Sequence, residues 1–93
     1  MATGKIKPNS FTYVRTFTSS SQTLAANGEG HVDMNVATSG YTPRGIVGIT
    51  GNGNSGMYVT DFYINGNTAT LWYRNPTTSA KTFTYTITVL FTA

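Results

Sequence analysis

Side chains capable of acid–base or nucleophilic chemistry are scarce in this sequence of 93 residues. It contains three acidic residues, one histidine and no cysteine. A Ser–His–Asp triad would have to use His31, and the nucleophile-elbow pattern G-x-S-x-G is absent. A carboxylate pair for glycoside cleavage would have to come from Glu29, Asp33 and Asp61, whose spacing places no two of them together. The sequence therefore predicts no catalytic residues, and we expect a protein that is not an enzyme.

Two patterns could indicate a metal or cofactor site, but each lacks the structural context that such a site needs. His31 and Asp33 lie two residues apart, hence on one strand face, yet a metal site usually takes about three or four ligands. An ion on the axis of a threefold assembly stays open. Residues 51–56, GNGNSG, have the spacing of a dinucleotide-binding loop, but such a loop must open a helix. Strand-like residues follow it, so we predict a flexible loop, no metal site and no cofactor.

A β-hairpin over residues 57–75 organises the chain. Asn65-Gly66 is typical of a type I′ turn, although a turn at Gly66-Asn67 would leave the same faces paired. Because side chains alternate along a strand, one face is predicted to be core and contains Tyr58, Thr60, Phe62, Ile64, Ala69, Leu71 and Tyr73. The other face contains Met57, Val59, Asp61, Tyr63, Thr70, Trp72 and Arg74.

The second hairpin face holds most of the candidate binding residues. Trp72 is flanked by Arg74, with Asp61 and Tyr63 across the hairpin, so a flat apolar ring is combined with hydrogen-bonding groups. This combination suits sugar recognition, but tryptophan, tyrosine and arginine are also enriched in subunit interfaces, and both interpretations stay open for Trp72. The candidate ligand-binding residues are Trp72, Arg74, Asp61, Tyr63 and the loop residue Tyr41.

The remaining pattern is that of β-strands and turns without helical periodicity. In residues 81–91, Phe83, Tyr85, Ile87, Val89 and Phe91 alternate with Thr82, Thr84, Thr86 and Thr88. Residues 31–36 place Val32, Met34 and Val36 inward, and residues 11–17 place Phe11, Tyr13, Arg15 and Phe17 on one side. Residues 44–50 are apolar on both sides, which indicates a buried central strand. We predict an all-β protein, a compact antiparallel β-sandwich (or small barrel) of about six strands.

Composition limits the partners. Charged residues make up 10% of the chain, against about a quarter in typical domains, and self-association would explain this shortage. The net charge of +3 is scattered, which argues against nucleic acid as a partner. No apolar run approaches the roughly 20 residues of a membrane span.

We expect residues 1–10 to be an extended lead-in and residues 11–93 to form a single domain.

Several runs resemble the small C-terminal domains of bacteriophage tail-fibre and minor structural proteins, especially those of phages and prophages of Gram-positive bacteria. They are GIVGITGNGNSG from Gly45, FYINGNTA from Phe62, RNPT from Arg74 and TVLF from Thr88, and the likeness spans roughly residues 23–91. The resemblance implies a homotrimeric, lectin-like β-sandwich head at the tip of a virion tail appendage. Its partners would be host cell-surface polysaccharide and other tail-fibre segments. A purely structural module that caps or trimerises the fibre is the alternative, and a small glycan-processing enzyme is a more distant one.

Overall fold

The computed structural model describes residues 12–93. These residues form seven β-strands: β1 (Thr12–Thr18), β2 (Gln22–Leu24), β3 (Glu29–Asn35), β4 (Thr42–Asn52), β5 (Tyr58–Asn65), β6 (Thr68–Arg74) and β7 (Lys81–Thr92). Every strand pairing is antiparallel. The described part of the chain has no helix, and so none that could span a membrane. The predicted all-β fold is confirmed, with the short β2 as an additional strand; the lead-in and Phe11 lie outside the described residues.

The strands form two sheets that pack face to face. In the four-stranded sheet, β1 and β4 pair with the same stretch of β7 and therefore flank it, while β2 pairs with the beginning of β7. The three-stranded sheet has the order β3-β6-β5. Thus β7 and β6 are the central strands of their sheets, and β4 and β5 are edge strands.

The core lies between the two central strands and β3. It contains Val32, Met34, Val36, Ala69, Leu71, Tyr73, Phe83, Tyr85, Ile87, Val89 and Phe91. Burying an aliphatic or aromatic side chain of this size contributes about 1.5–3 kcal/mol. The ring of Tyr73 packs edge-on against Phe83 and stacks on Tyr85, with centroid distances of 5.0 and 5.5 Å. The inward positions predicted for β3, β6 and β7 are confirmed.

The hairpin turn differs from the expected one. Asn65 pairs with Thr68, so the two loop residues are Gly66 and Asn67. Gly66 has φ +62°, whereas Asn67 does not have a positive φ. A positive φ at the first loop position alone is the pattern of a type II′ turn with glycine in that place. The turn is therefore type II′ at Gly66-Asn67, and the type I′ turn at Asn65-Gly66 is wrong.

A β-bulge changes the faces at the start of β5. Val59 pairs with Tyr73 and Asp61 with Trp72, which leaves Thr60 as the extra residue. Beyond the bulge the register agrees with the predicted faces, but Phe62, predicted in the core, is 48% exposed because it lies on an edge strand. Before it they are reversed: Tyr58 lies opposite Arg74, while Met57 and Val59 pack against the core. The assignment of Tyr58 and Thr60 to the core face and of Met57 and Val59 to the opposite face is wrong, because Thr60 is an exposed inserted residue that shifts the alternation by one.

Strand β4 is an irregular edge strand and not a buried central one. Its register with β7 shifts at Arg44 and again at Val47, whose side chain is 59% exposed. Bulges are common on sheet edges, where they discourage pairing with another chain. The run of glycines that follows begins inside β4 and ends in a tight turn, in which Met57 N donates to Asn54 O at 2.9 Å. Part of the segment predicted as a loop is therefore strand, and the rest forms a hydrogen-bonded turn.

Candidate ligand-binding face

The outward side of the three-stranded sheet presents a grid of polar and aromatic side chains. Its rows follow from the strand register, and from β3 through β6 to β5 they are Glu29–Arg74–Tyr58, His31–Trp72–Asp61, Asp33–Thr70–Tyr63 and Asn35–Thr68–Asn65. We call these twelve residues the acidic face. They include all three acidic residues of the sequence, its one tryptophan and its one histidine. The most distinctive side chains of a weakly charged protein are therefore concentrated on one surface.

Trp72 is held at the centre of the acidic face by two neighbours. The imidazole of His31 stacks on its indole, with ring centroids 4.4 Å apart and planes inclined by 29°. On the other side of the strand, Trp72 Nε1 donates to the hydroxyl of Tyr63 at 3.2 Å. The ring of Tyr63 is itself 43% exposed. The three rings thus form a fixed aromatic platform, and a ligand would not need to order it on binding.

Two carboxylates beside the platform are held by internal hydrogen bonds. Thr70 Oγ1 donates to Asp33 Oδ1 at 2.7 Å, and the second oxygen of Asp33 lies 4.0 Å from His31 Nε2. The backbone N–H of Phe62 donates to Asp61 Oδ1 at 2.8 Å. Both aspartates are exposed, so each can still accept hydrogen bonds from a ligand. Charge-assisted hydrogen bonds of this kind are among the stronger polar contacts in proteins.

Four of the five predicted binding residues lie together on this face. Trp72 is directly opposite Asp61, and Tyr63 and Arg74 occupy adjacent rows. Tyr41 is elsewhere: it lies in the connection before β4, and its ring stacks on Tyr13 with centroids 4.9 Å apart. The prediction therefore combined two surfaces, because a connection between strands gives no alternation from which its facing could be determined.

Sequence patterns did not connect His31 and Asp33 with Trp72. These residues meet through the pairing of β3 with β6, which joins segments about forty positions apart in the sequence. The two-residue spacing of His31 and Asp33 indicated a shared face, but nothing local indicates which strand lies beside them. Among residues 12–93, no group of three or more histidine, cysteine, aspartate or glutamate side chains is placed to hold a metal ion.

A groove borders the acidic face where the edges of the two sheets meet. It lies between β4 and β5 and has a volume of about 280 Å³. Its lining includes Ile49, Asn54, Met57, Tyr58, Phe62 and Tyr85. Tyr58 belongs both to this lining and to the acidic face, so the two surfaces are continuous. The sequence did not indicate the groove, because it depends on the bulge at Thr60 and on the packing of two separate sheets.

Comparison with known proteins gives no match to a family model, to a curated protein or to a solved structure. A function for this chain therefore has to come from the geometry of the acidic face and the groove.

Proposed function

We propose that this protein is a saccharide-binding domain whose binding surface is the acidic face. The observation that carries the proposal is the grouping of Trp72 and Tyr63 with Asp61 and Arg74 on one exposed sheet surface. Sugars have apolar C–H faces that pack on aromatic rings, and hydroxyl groups that hydrogen-bond to carboxylates and guanidinium groups. The acidic face offers both kinds of contact side by side.

The biological setting that we propose follows the resemblance to phage tail-fibre domains. The domain would lie at the tip of a virion appendage as a homotrimer and attach to host cell-surface polysaccharide. Single aromatic sites of this open type bind weakly. Three copies on one tip would raise the avidity by roughly 10²–10⁴ where the geometry allows simultaneous engagement. We propose binding without cleavage, because the acidic face holds Asp33 and Asp61 in internal hydrogen bonds beside an aromatic platform suited to stacking.

The test is binding of the purified protein to cell-wall polysaccharides from a panel of Gram-positive bacteria, comparing Trp72→Ala and Tyr41→Ala with the parent. We expect Trp72→Ala to lower the affinity by about tenfold or more, the scale of one aromatic contact. Tyr41→Ala should bind like the parent, because Tyr41 lies apart from the acidic face. Loss of binding in Tyr41→Ala alone would move the site to the Tyr13–Tyr41 stack. Steady release of sugar fragments would show that the protein is an enzyme.

A second candidate function is a structural module that caps or trimerises a fibre, and one surface favours it. The outward side of the four-stranded sheet, which we call the threonine face, carries Thr12, Thr16, Thr18, Thr23, Thr42, Thr50, Thr82, Thr84, Thr86, Thr88 and Thr92. Within this face, Val14 lies opposite Leu90, one row from its end. An apolar pair within a neutral polar surface is suited to packing against another subunit. Absence of saccharide binding by the parent would favour this function.

A further inference from the structure

The groove between β4 and β5 has aromatic walls that face solvent. Phe62 and Tyr58 are 48% and 50% exposed, although Phe62 occupies an inward-facing register position opposite Leu71. Phe62 is exposed because β4 and β5 are the edge strands of different sheets and do not pair with each other, whereas Tyr58 lies on the outward face. Large apolar side chains left open in this way are unusual enough to suggest a binding site.

The base of the groove carries two neutral hydrogen-bonding groups in fixed positions. The side-chain amide of Asn54 lies 3.5 Å from the hydroxyl of Tyr85, one of the core residues. Asn54 can occupy this position because Gly51 beneath it has no side chain; a Cβ on Gly51 would come within 2.4 Å of Asn54 Nδ2. The turn bond from Met57 N to Asn54 O holds the segment from the other side.

The lining defines the chemistry of an occupant. Within residues 12–93, no charged side chain contributes to it, so a charged group entering the groove would lose hydration without gaining a counter-charge. A purely apolar occupant would displace water from the Asn54 amide and the Tyr85 hydroxyl and leave them only their long 3.5 Å contact with each other, which is also costly. The occupant that satisfies both conditions has apolar faces and neutral hydroxyl groups, which describes a neutral sugar ring.

The volume of the groove and its position beside the acidic face also favour a sugar ring as the occupant. A volume of about 280 Å³ lies just below the roughly 300–1,000 Å³ of drug-sized ligand sites, and so suits a single ring better than an oligomer. The shared residue Tyr58 makes the groove continuous with the acidic face. We infer that the groove is a subsite for one uncharged hexose unit of the saccharide that binds the acidic face. This inference rests on the proposed function, and it assigns neutral hexose as the unit recognised beside the platform.

The experiment titrates 15N-labelled protein with neutral hexoses, using glucose and galactose as separate probes, and follows two side-chain signals by NMR. The Asn54 amide reports on the groove, and the indole N–H of Trp72, the only tryptophan, reports on the acidic face. The variants are Phe62→Ala, Phe62→Leu and Trp72→Ala. Tyr13→Ala is the matched control, because Tyr13 is a similarly exposed aromatic residue (41%) on β1, away from the groove.

We expect at least one of the two hexoses to shift the Asn54 signal in the parent, in Trp72→Ala and in Tyr13→Ala. Phe62→Ala should weaken that response by about tenfold, the scale of one aromatic contact. Phe62→Leu keeps apolar volume without a ring and should bind nearly as weakly, which separates loss of stacking from loss of packing. Thermal unfolding of each variant confirms that it is folded.

Polysaccharide binding by the same variants separates this inference from the proposed function. Binding weakened both by Trp72→Ala and by Phe62→Ala would support the two together. Binding weakened by Trp72→Ala alone, with neither hexose shifting Asn54, would overturn the subsite and keep the proposed function. Hexose shifts at Asn54 together with polysaccharide binding that Trp72→Ala leaves unchanged would support the groove and overturn the acidic face. An extended peptide serves as a further probe. If it shifts the Asn54 signal and neither hexose does, the groove binds a β-strand and the sugar subsite is overturned.

Discussion

The side-chain amide of Asn75 lies 2.9 Å from the backbone carbonyl of Ser79, inside the turn that joins β6 to β7. The same nitrogen is within hydrogen-bond distance of the carbonyls of Leu24 and Ala25, and the side-chain oxygen accepts from Thr77. Asn75 is completely buried. One side chain therefore ties the connection between β2 and β3 to the connection between β6 and β7, and satisfies backbone carbonyls that would otherwise be costly to bury.

Asn75→Asp tests this arrangement with almost no change in shape. An aspartate would present carboxylate oxygens to three carbonyl groups and would donate nothing, so we expect the free energy of unfolding to fall by about 3 kcal/mol or more. Urea denaturation measures the change. Asn67→Asp, at the exposed hairpin turn, is the matched control and should stay within about 0.5 kcal/mol of the parent. Equal stability of Asn75→Asp and Asn67→Asp would refute the structural role of Asn75.

The buried phenol of Tyr73 makes stability depend on alkaline pH. Burial, and secondarily the charge of a neighbouring Tyr85 phenolate, raises the pKa of Tyr73 above its usual value of 10.0. Because the folded-state pKa is raised, the neutral phenol stabilises the fold fully below the unfolded pKa, and this contribution is lost as pH rises through the folded pKa. Tyr73→Phe cannot ionise. We expect the difference in unfolding free energy between parent and Tyr73→Phe to be constant near neutral pH and to shift in favour of the variant above about pH 10. If the unfolding free energies of the parent and of Tyr73→Phe kept a constant difference up to about pH 12, this pH dependence would be contradicted.

Local alternation explains why the core could be predicted. On β7, the positions from Phe83 to Phe91 alternate strictly, and a strand whose one face is buried allows only one choice of inward side chains. The error on β5 has an equally local cause. The bulge at Thr60 inserts one residue, and no feature of the sequence Tyr58-Val59-Thr60 distinguishes an inserted residue from a regular one.

In the candidate site, too, the contacts within one hairpin could be predicted and the contacts between distant segments could not. Trp72 and Asp61 could be placed together because they belong to one hairpin, whose pairing follows from its short turn. His31 reaches Trp72 only through a pairing between distant strands, and Phe62 reaches the groove only because two sheets pack together. Neither contact leaves a periodic signal in the sequence, because both depend on tertiary structure.

The loop that forms the base of the groove should be sensitive at Gly53. This residue has φ +80°, and a Cβ there would come within 2.5 Å of the carbonyl oxygen of Thr82. We expect Gly53→Ala to lower the unfolding free energy by at least about 1–2 kcal/mol for the left-handed backbone alone, and to weaken hexose binding by displacing Asn54. Gly45→Ala is the control, because Gly45 has a negative φ and open space around its Cβ position. Calorimetric unfolding of the two variants measures the difference, and equal midpoints would rule out the constraint.

Self-association should use the threonine face. Among residues 12–93, the charged side chain that hydrogen-bonds to this face is that of Arg44, whose Nε donates to Thr92 Oγ1 at 2.7 Å. Hydroxyl groups both donate and accept, so a threonine surface can pack against a copy of itself, whereas a surface of one charge sign cannot. Val14, which is exposed and lies opposite Leu90, supplies apolar contact area. The low overall charge of the chain is consistent with a surface of this kind being covered.

We therefore expect light scattering on the purified protein to give a mass near that of three 10.0 kDa chains at micromolar concentration. Thr88→Lys should shift the mass towards the monomer, because it places an uncompensated charge in the subunit contact. Burying an unpaired charge costs about 3–5 kcal/mol. Thr68→Lys makes the same substitution on the central strand of the other sheet, on the acidic face, and should leave the assembly intact. A parent that stays at the mass of one chain would contradict self-association. Dissociation by Thr68→Lys but not by Thr88→Lys would place the subunit contact on the acidic face and leave Trp72 inaccessible to saccharide.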